Sequence, residues 1–285
     1  MRFMRFEKDG HVGIAVDAGH GWHARLDDDA AFPGDVGLIA MLAPGNRDVL
    51  VEHLHKGAAV DMDHVRFLPP CARPGKIVCL GLNYRDHARE FDSPPPKYPT
   101  LFGRFASSLI GHGAPLVRPR VSDKFDYEGE LVLVIGRSGR HITQQDALDH
   151  VFGYGVFNDA SIRDYQLRTT QWTMGKNFDG TGAFGPWLVT ADELPPGAAG
   201  LALETRLNGE VVQQASTSDM IFDVAQTIAI VSEAMTLDAG DMIVMGTPSG
   251  VGYARKPPLY MKPGDVCEVS IERIATLRNT VVQEA

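Results

Sequence analysis

Residues 131–135 read Leu-Val-Leu-Val-Ile and are closed by Gly136. A run this short and this uniformly apolar predicts a strand without a polar face, so the chain has to cover it on both sides. The residues in front of it sharpen that constraint. FDYEGE sets Asp126, Glu128 and Glu130 at every second position, and alternate residues of a strand share a face. Carboxylates crowded beside a core strand repel one another unless a cation lies between them. Hard divalent ions take oxygen ligands, and an E-x-E pair offers two from one face. A third ligand has two candidates: Asp126, on the same face, and Asp159 in GVFNDASIRDYQ, where an apolar strand ends in a polar turn. The local pattern does not choose between them, and a solvated strand start is the competing account of the glutamates.

The rest of the chain also reads mostly as strands. KIVCLGL (76–82), DMIVMGT (241–247) and VCEVSIERI (266–274) are short apolar strands, and LALETRLNGEVV (201–212) is a hairpin turning at Asn208-Gly209. One helix is expected over 143–151, where Thr143 and Asp146 stand at capping-box spacing. Another is expected over 218–235, where Ile221, Val224, Ala225, Ile228, Val231 and Met235 share a face before Gly240. Three prolines and a glycine in LPPCARPGK (68–76) mark the best internal boundary. The expectation is an α+β, mostly β protein. A small N-terminal α/β domain over 1–70 would hold a strand at 11–16 and a helix near 47–55, and a larger domain would span 71–285.

Composition narrows the partners. The net charge of −9 argues against nucleic acid or an anionic membrane. It leaves a small anionic substrate open, because a bound cation reverses the local field. The three cysteines, Cys71, Cys79 and Cys267, fit no zinc-knuckle or disulfide spacing and point to a reducing, cytoplasmic setting. No apolar stretch reaches the roughly 18 residues of a membrane span. Neither a G-x-G-x-x-G after a strand nor a phosphate-loop motif occurs, which sets nucleotide binding aside.

Three further places carry reactive side chains. His87 and Glu90 in NYRDHARE are i and i+3, so on a helical turn the carboxylate would orient the imidazole as a general base. A surface charge pair is the plainer alternative. Lys176 lies among glycines in MGKNFDGTGAFGPW, and GTPSGVG (246–252) could present amides and the Thr247 hydroxyl to an anion. His141 and His150 read as helix-terminal or surface histidines.

Taken in order, NYRDHARE, DYEGELVLVIG, FGYGVFNDASIRDYQ, GKNFDGTGAFGPWLVT and MGTPSGVG resemble the fumarylacetoacetate hydrolase (FAH) superfamily over residues 73–282, and within it the smaller acylpyruvate hydrolase-type members. The resemblance implies a mixed β-roll or β-sandwich core of three sheet layers, assembled as a homodimer. It implies Mg²⁺, with Mn²⁺ or Ca²⁺ as alternatives, held by Glu128, Glu130 and Asp159, so that Asp159 displaces Asp126 as third ligand. By the same resemblance His87, Glu90 and Lys176 are catalytic, and Arg163, Gln166 and Thr247 contact substrate. Two departures stand out. CLGLNYRDH lacks the aspartate that gives the eponymous hydrolase a fourth ligand, and LFGRFASS puts Arg104 and Phe105 where many relatives carry Lys-Pro.

The activity implied is hydrolysis of a carbon–carbon bond in a 2,4-diketo acid, an acylpyruvate such as fumarylpyruvate or maleylpyruvate, as met in aromatic catabolism. His87, oriented by Glu90, would deprotonate the attacking water, with Lys176 and Gln166 donating hydrogen bonds and Arg163 either clamping a substrate carboxylate or supporting the metal ligands from behind. The alternative at the same site is decarboxylation or isomerisation of oxaloacetate-like or unsaturated hydroxy diacids, which needs no water attack. A metal-binding module without catalysis is the third reading.

Overall fold

The protein's structure, a computed structural model, describes residues 1–29, 47–86 and 96–285. Its centre is the strand Gly129–Ile135, every residue of which is buried. The side chains divide by parity. Leu131, Leu133 and Ile135 pack into one core cluster with Leu203, Val269 and Leu277. Val132 and Val134 pack into another with Phe3, Ile14, Leu50 and Leu54. The two-sided burial expected of the apolar run is therefore met by two different layers, and each such side chain contributes about 1.5–3 kcal/mol.

The first layer is a five-stranded sheet in the order Glu210–Ser216, Ala202–Leu207, Val266–Ile271, Ala275–Gln283, Leu116–Arg118. Its hairpin turns at Asn208 (φ 52°) and Gly209 (φ 85°), both in the left-handed region that a tight two-residue turn requires. The second layer includes the helix Arg47–His55, which buries Leu50 and Leu54.

The central strand itself belongs to a twelve-stranded sheet. On one side it pairs with Val151–Asp159, then Gly182–Thr190, then the N-terminal strands Arg2–Lys8, His11–Asp17 and Trp22–Leu26. On the other it meets Met242–Val244, Ile77–Gly81 and Thr100–Arg104. The N-terminal strands thus continue the sheet, with Arg2 opposite Val189 and Phe3 opposite Leu188. The proline-rich stretch 68–76 runs between two strands of that same sheet, Arg66–Leu68 and Ile77–Gly81.

Local differences from the sequence expectation have physical causes. Over 143–151 a turn closed by Thr143 and Asp146 leads only into a 3₁₀ turn, Ala147–His150, because Val151 already begins a nine-residue strand. His150 is buried rather than superficial, its ring nitrogens engaged by Arg137. The second helix starts late, at Val224, where Asp223 and Gln226 form a capping box, and ends at Ala234. Asp126 is not in line with Glu128 and Glu130, since Phe125–Asp126 forms a separate two-stranded ribbon with Ser161–Ile162.

Candidate active site

Strand register assembles the acidic cluster. The Gly129–Ile135 strand runs antiparallel to Val151–Asp159, with Gly129 opposite Asn158 and Glu130 opposite Phe157. One step further along, the Asp159 N–H donates to the Glu128 carbonyl at 2.9 Å, and the Glu128 N–H donates to Asn158 Oδ1 at 3.0 Å. Residues some thirty positions apart are thereby neighbours. Glu128, Glu130 and Asp159 each offer an oxygen, all within 4.8 Å of one another. Their relative exposures are 6, 1 and 0%.

Buried cations face two of the three. Lys176 Nζ donates to Glu128 Oε2 and to Asp159 Oδ2, both at 2.6 Å. Arg163 Nη1 donates to Glu128 Oε1 at 2.6 Å, and Arg104 Nη1 to Asp159 Oδ1. Burial alone would pull the Lys176 amine down, but Asp159 and Glu128 outweigh it and hold the ammonium charged. Glu130 is treated differently. Its Oε2 accepts the Gly246 N–H at 2.6 Å, and no side-chain cation forms an ion pair with it among the described residues. Burial, reinforced by Asp159 and Glu128, pushes its carboxyl well above the ordinary range.

This donor set fits a hard divalent cation. Among the described residues it consists of oxygen alone, it is buried, and four buried carboxylates (Asp126, Glu128, Glu130, Asp159) confront only three buried cations (Arg104, Arg163, Lys176). Neighbouring Cys79 does not compete as a nucleophile or soft ligand, because burial first, then Asp159 and Glu130, push its thiol well up.

The cluster opens on a cavity of about 190 Å³. Its polar side holds Glu128, Glu130, Arg163, Gln166, Lys176 and Thr247. Asp159 stands behind, fully enclosed. Arg163 and Gln166 share the helical turn Arg163–Gln166, and Arg163 Nη1 also donates to Gln166 Oε1 at 2.8 Å. Arg163 Nη2 is buried and has no hydrogen-bond partner among the described residues. The turn Thr173–Lys176 packs against that one so closely that a Cβ at Gly175 would sit 2.3 Å from Gln166 N. This is the reason for the glycine before Lys176. Thr247 Oγ1 donates to the Gly129 carbonyl at 3.0 Å and accepts from Gln213 Nε2 at 2.8 Å.

Asp126 and Arg104 take positions that the sequence did not disclose. Asp126 is saturated by donors from Tyr127 N, Gly252 N, Tyr253 N and Arg163 Nε, all at 2.8–2.9 Å, so it fastens the guanidinium to the loop carrying Tyr253. Arg104 lies buried behind the cavity, donating also to Thr181 Oγ1, Ala160 O and Ser108 Oγ. Phe105, by contrast, is exposed. His87 and Glu90 lie outside the described residues. The chain leading to them is pinned at Asn83, whose side chain donates to the Phe222 and Met245 carbonyls and accepts from Phe222 N.

Known proteins resemble this chain in sequence and fold. Residues 76–282 match the family model described as fumarylacetoacetate (FAA) hydrolase C-terminal. The human protein oxaloacetate tautomerase FAHD2A, mitochondrial, is 45% identical over 220 residues, covering 76% of this chain and 70% of that protein. A solved fumarylacetoacetate hydrolase from psychrophilic Exiguobacterium antarcticum superposes with a TM-score of 0.82 at 38% identity, covering all of both chains. The maleylpyruvate hydrolase from Sphingobium sp. SYK-6 superposes with a TM-score of 0.81 at 29% identity, again over both whole chains.

Proposed function

The chain belongs to the fumarylacetoacetate hydrolase superfamily, and from that premise we propose that it interconverts the keto and enol forms of a short 2-oxo dicarboxylate of the oxaloacetate class. The observation that carries this reading is the meeting, on one cavity of about 190 Å³, of an oxygen-only cation site and a buried guanidinium whose Nη2 has no partner among the described residues. A substrate with a chelating 2-oxo carboxylate and a second anionic end satisfies both. The 45% identity to an oxaloacetate tautomerase favours isomerisation over the hydrolysis expected from the motifs.

Glu128, Glu130 and Asp159 are the residues that would hold Mg²⁺, or Mn²⁺ or Ca²⁺, whose chemistry when bound is Lewis acidity towards a 2-oxo carboxylate. The remaining work falls to this chain's own side chains. Arg163 Nη2 donates to a substrate carboxylate, a charge-assisted contact in a buried setting. Lys176 stays an ammonium between Glu128 and Asp159 and donates to the oxygen on which negative charge develops, so its contribution grows towards the transition state. Gln166 and Thr247 line the same side and orient the substrate. We assign the proton transfer at C3 to His87 with Glu90 as its carboxylate partner: the C3–H proton passes to the imidazole, the bond electrons form C2=C3 as the C2=O electrons move to oxygen, and the imidazolium gives its proton back to that oxygen, directly or through water, restoring the neutral base. Three buried, unpaired cysteines are consistent with the reducing, cytoplasmic compartment proposed for the chain. Among the described residues, no helix is long and apolar enough to cross a membrane.

Enol-oxaloacetate absorbs in the ultraviolet, so stopped-flow mixing with the protein and Mg²⁺ tests the assignment. Accelerated decay of the enol band, abolished by EDTA, is expected. The second reading, hydrolytic cleavage of acylpyruvates, rests on the close superposition with a maleylpyruvate hydrolase. A higher kcat/KM for release of pyruvate from fumarylpyruvate or maleylpyruvate than for tautomerisation would establish it instead.

A further inference from the structure

The apolar lining of the cavity includes Leu80, Gly81, Phe102, Leu167 and Trp172, and it is organised by one contact. Trp172 packs its six-membered ring onto Gly81, so that a Cβ added there would lie 2.2 Å from Trp172 Cζ3 and 2.6 Å from Cη2. No real carbon pair keeps such distances, so the indole occupies its seat only because residue 81 lacks a side chain. Gly81 ends the strand Ile77–Gly81, opposite Thr100, and the seat is therefore part of the sheet. Phe102, from the next strand, meets the indole edge-on with ring centroids 5.4 Å apart. Trp172 immediately precedes the Thr173–Lys176 turn, accepting the Gly175 N–H at 3.0 Å. Lys176 Nζ in turn lies 5.0 Å from the centre of the Phe102 ring. The wall and the ammonium that faces the carboxylates are thus one packed unit.

We propose that Trp172, seated on Gly81, is a specificity-determining residue that closes the apolar end of the cavity and holds the protein to four-carbon 2-oxo diacids over their longer homologues. The inference rests on the function proposed above, in which the cation site takes the 2-oxo carboxylate and Arg163 Nη2 the second carboxylate. With both ends held in a cavity of about 190 Å³, the added methylenes of a longer acid need room that the indole occupies. The ring cannot retreat, because the Gly81 backbone and Phe102 back it.

Equilibrium binding separates this inference from the reading beneath it. Calorimetric titration of the Mg²⁺-loaded protein with oxaloacetate, 2-oxoglutarate and 2-oxoadipate gives a length preference that does not depend on turnover. Trp172→Ala is expected to shift that preference towards the two longer acids by about ten-fold or more, with Trp172→Phe intermediate and available should the alanine variant fold poorly. Gly81→Ala pushes the indole into the cavity and is expected to weaken even oxaloacetate by about ten-fold. That penalty should vanish in the double variant Gly81→Ala/Trp172→Ala, where no ring remains to displace. An unchanged preference in the Trp172 variants, or a Gly81→Ala penalty that persists without Trp172, overturns the assignment while leaving the oxo-diacid reading intact. If the unmodified protein binds none of the three acids, that reading fails and this inference falls with it.

Discussion

Asp241 and Glu130 are both buried carboxylates, and both are tied to the short strand Met242–Val244, at its opposite ends. At the first end, Asp241 accepts the backbone N–H of Lys76 at 2.8 Å and of Asp238 at 2.7 Å, and pairs with Lys76 Nζ at 2.8 Å. At the other end, Glu130 accepts the N–H of Gly246 and lies beside two further carboxylates. Asp241 is saturated by the protein's own donors. Glu130 has no side-chain cation paired with it among the described residues and stands against two like charges, which is where a bound cation would relieve the most repulsion.

Substitutions at the two ends should separate cleanly. Glu130→Ala is expected to cut metal-dependent turnover by about 10³-fold, several kcal/mol of Lewis-acid stabilisation, and to abolish the rise in melting temperature that Mn²⁺ gives the unmodified protein. Retained metal-dependent turnover would remove Glu130 from the ligand set. Asp241→Ala, by contrast, should lower stability by about 2–3 kcal/mol in urea titration, because two backbone donors and an ammonium lose their acceptor, with Mn²⁺ affinity unchanged. A loss of Mn²⁺ affinity there would break the comparison outright. Arg163→Lys is expected to raise KM by about ten- to a hundred-fold, with less effect on kcat, since a single ammonium cannot serve Asp126, Glu128 and substrate at once. An unaltered KM would mean that Nη2 does not meet the substrate. The smallest effect is the most diagnostic in sign. In EDTA, Glu130→Gln should raise stability by about 1 kcal/mol by relieving repulsion, whereas Asp241→Asn should lower it, and equal signs in urea titration would contradict the distinction.

The apolar run 131–135 and the adjacent E-x-E were legible as a two-sided strand and as converging carboxylates because both depend on alternation along one strand. Asp159 was one of two local candidates, and only family resemblance set it ahead of Asp126. Its place beside Glu128 is set by antiparallel pairing with a distant strand, which no local pattern encodes. Arg104 was noticed as a departure, but its burial against Asp159 depends on how the strand Thr100–Arg104 packs. The helix expected over 143–151 failed for a related reason: a sound capping signal at Thr143 met a strand that claims Val151 onwards. Trp172 carried no signal, since its meaning lies in the bare backbone of Gly81.

The hydrogen bond from the Asp159 amide to the Glu128 carbonyl links the ligand set to the main-chain ladder. Slipping that ladder by one residue would turn Asp159 to the opposite face of the sheet. On the metal role proposed above, chains that have misaligned the pair would let the cation go. Metal content per mole of purified protein would then be an assay of folding fidelity, sensitive to an error that compactness and secondary-structure content would both overlook.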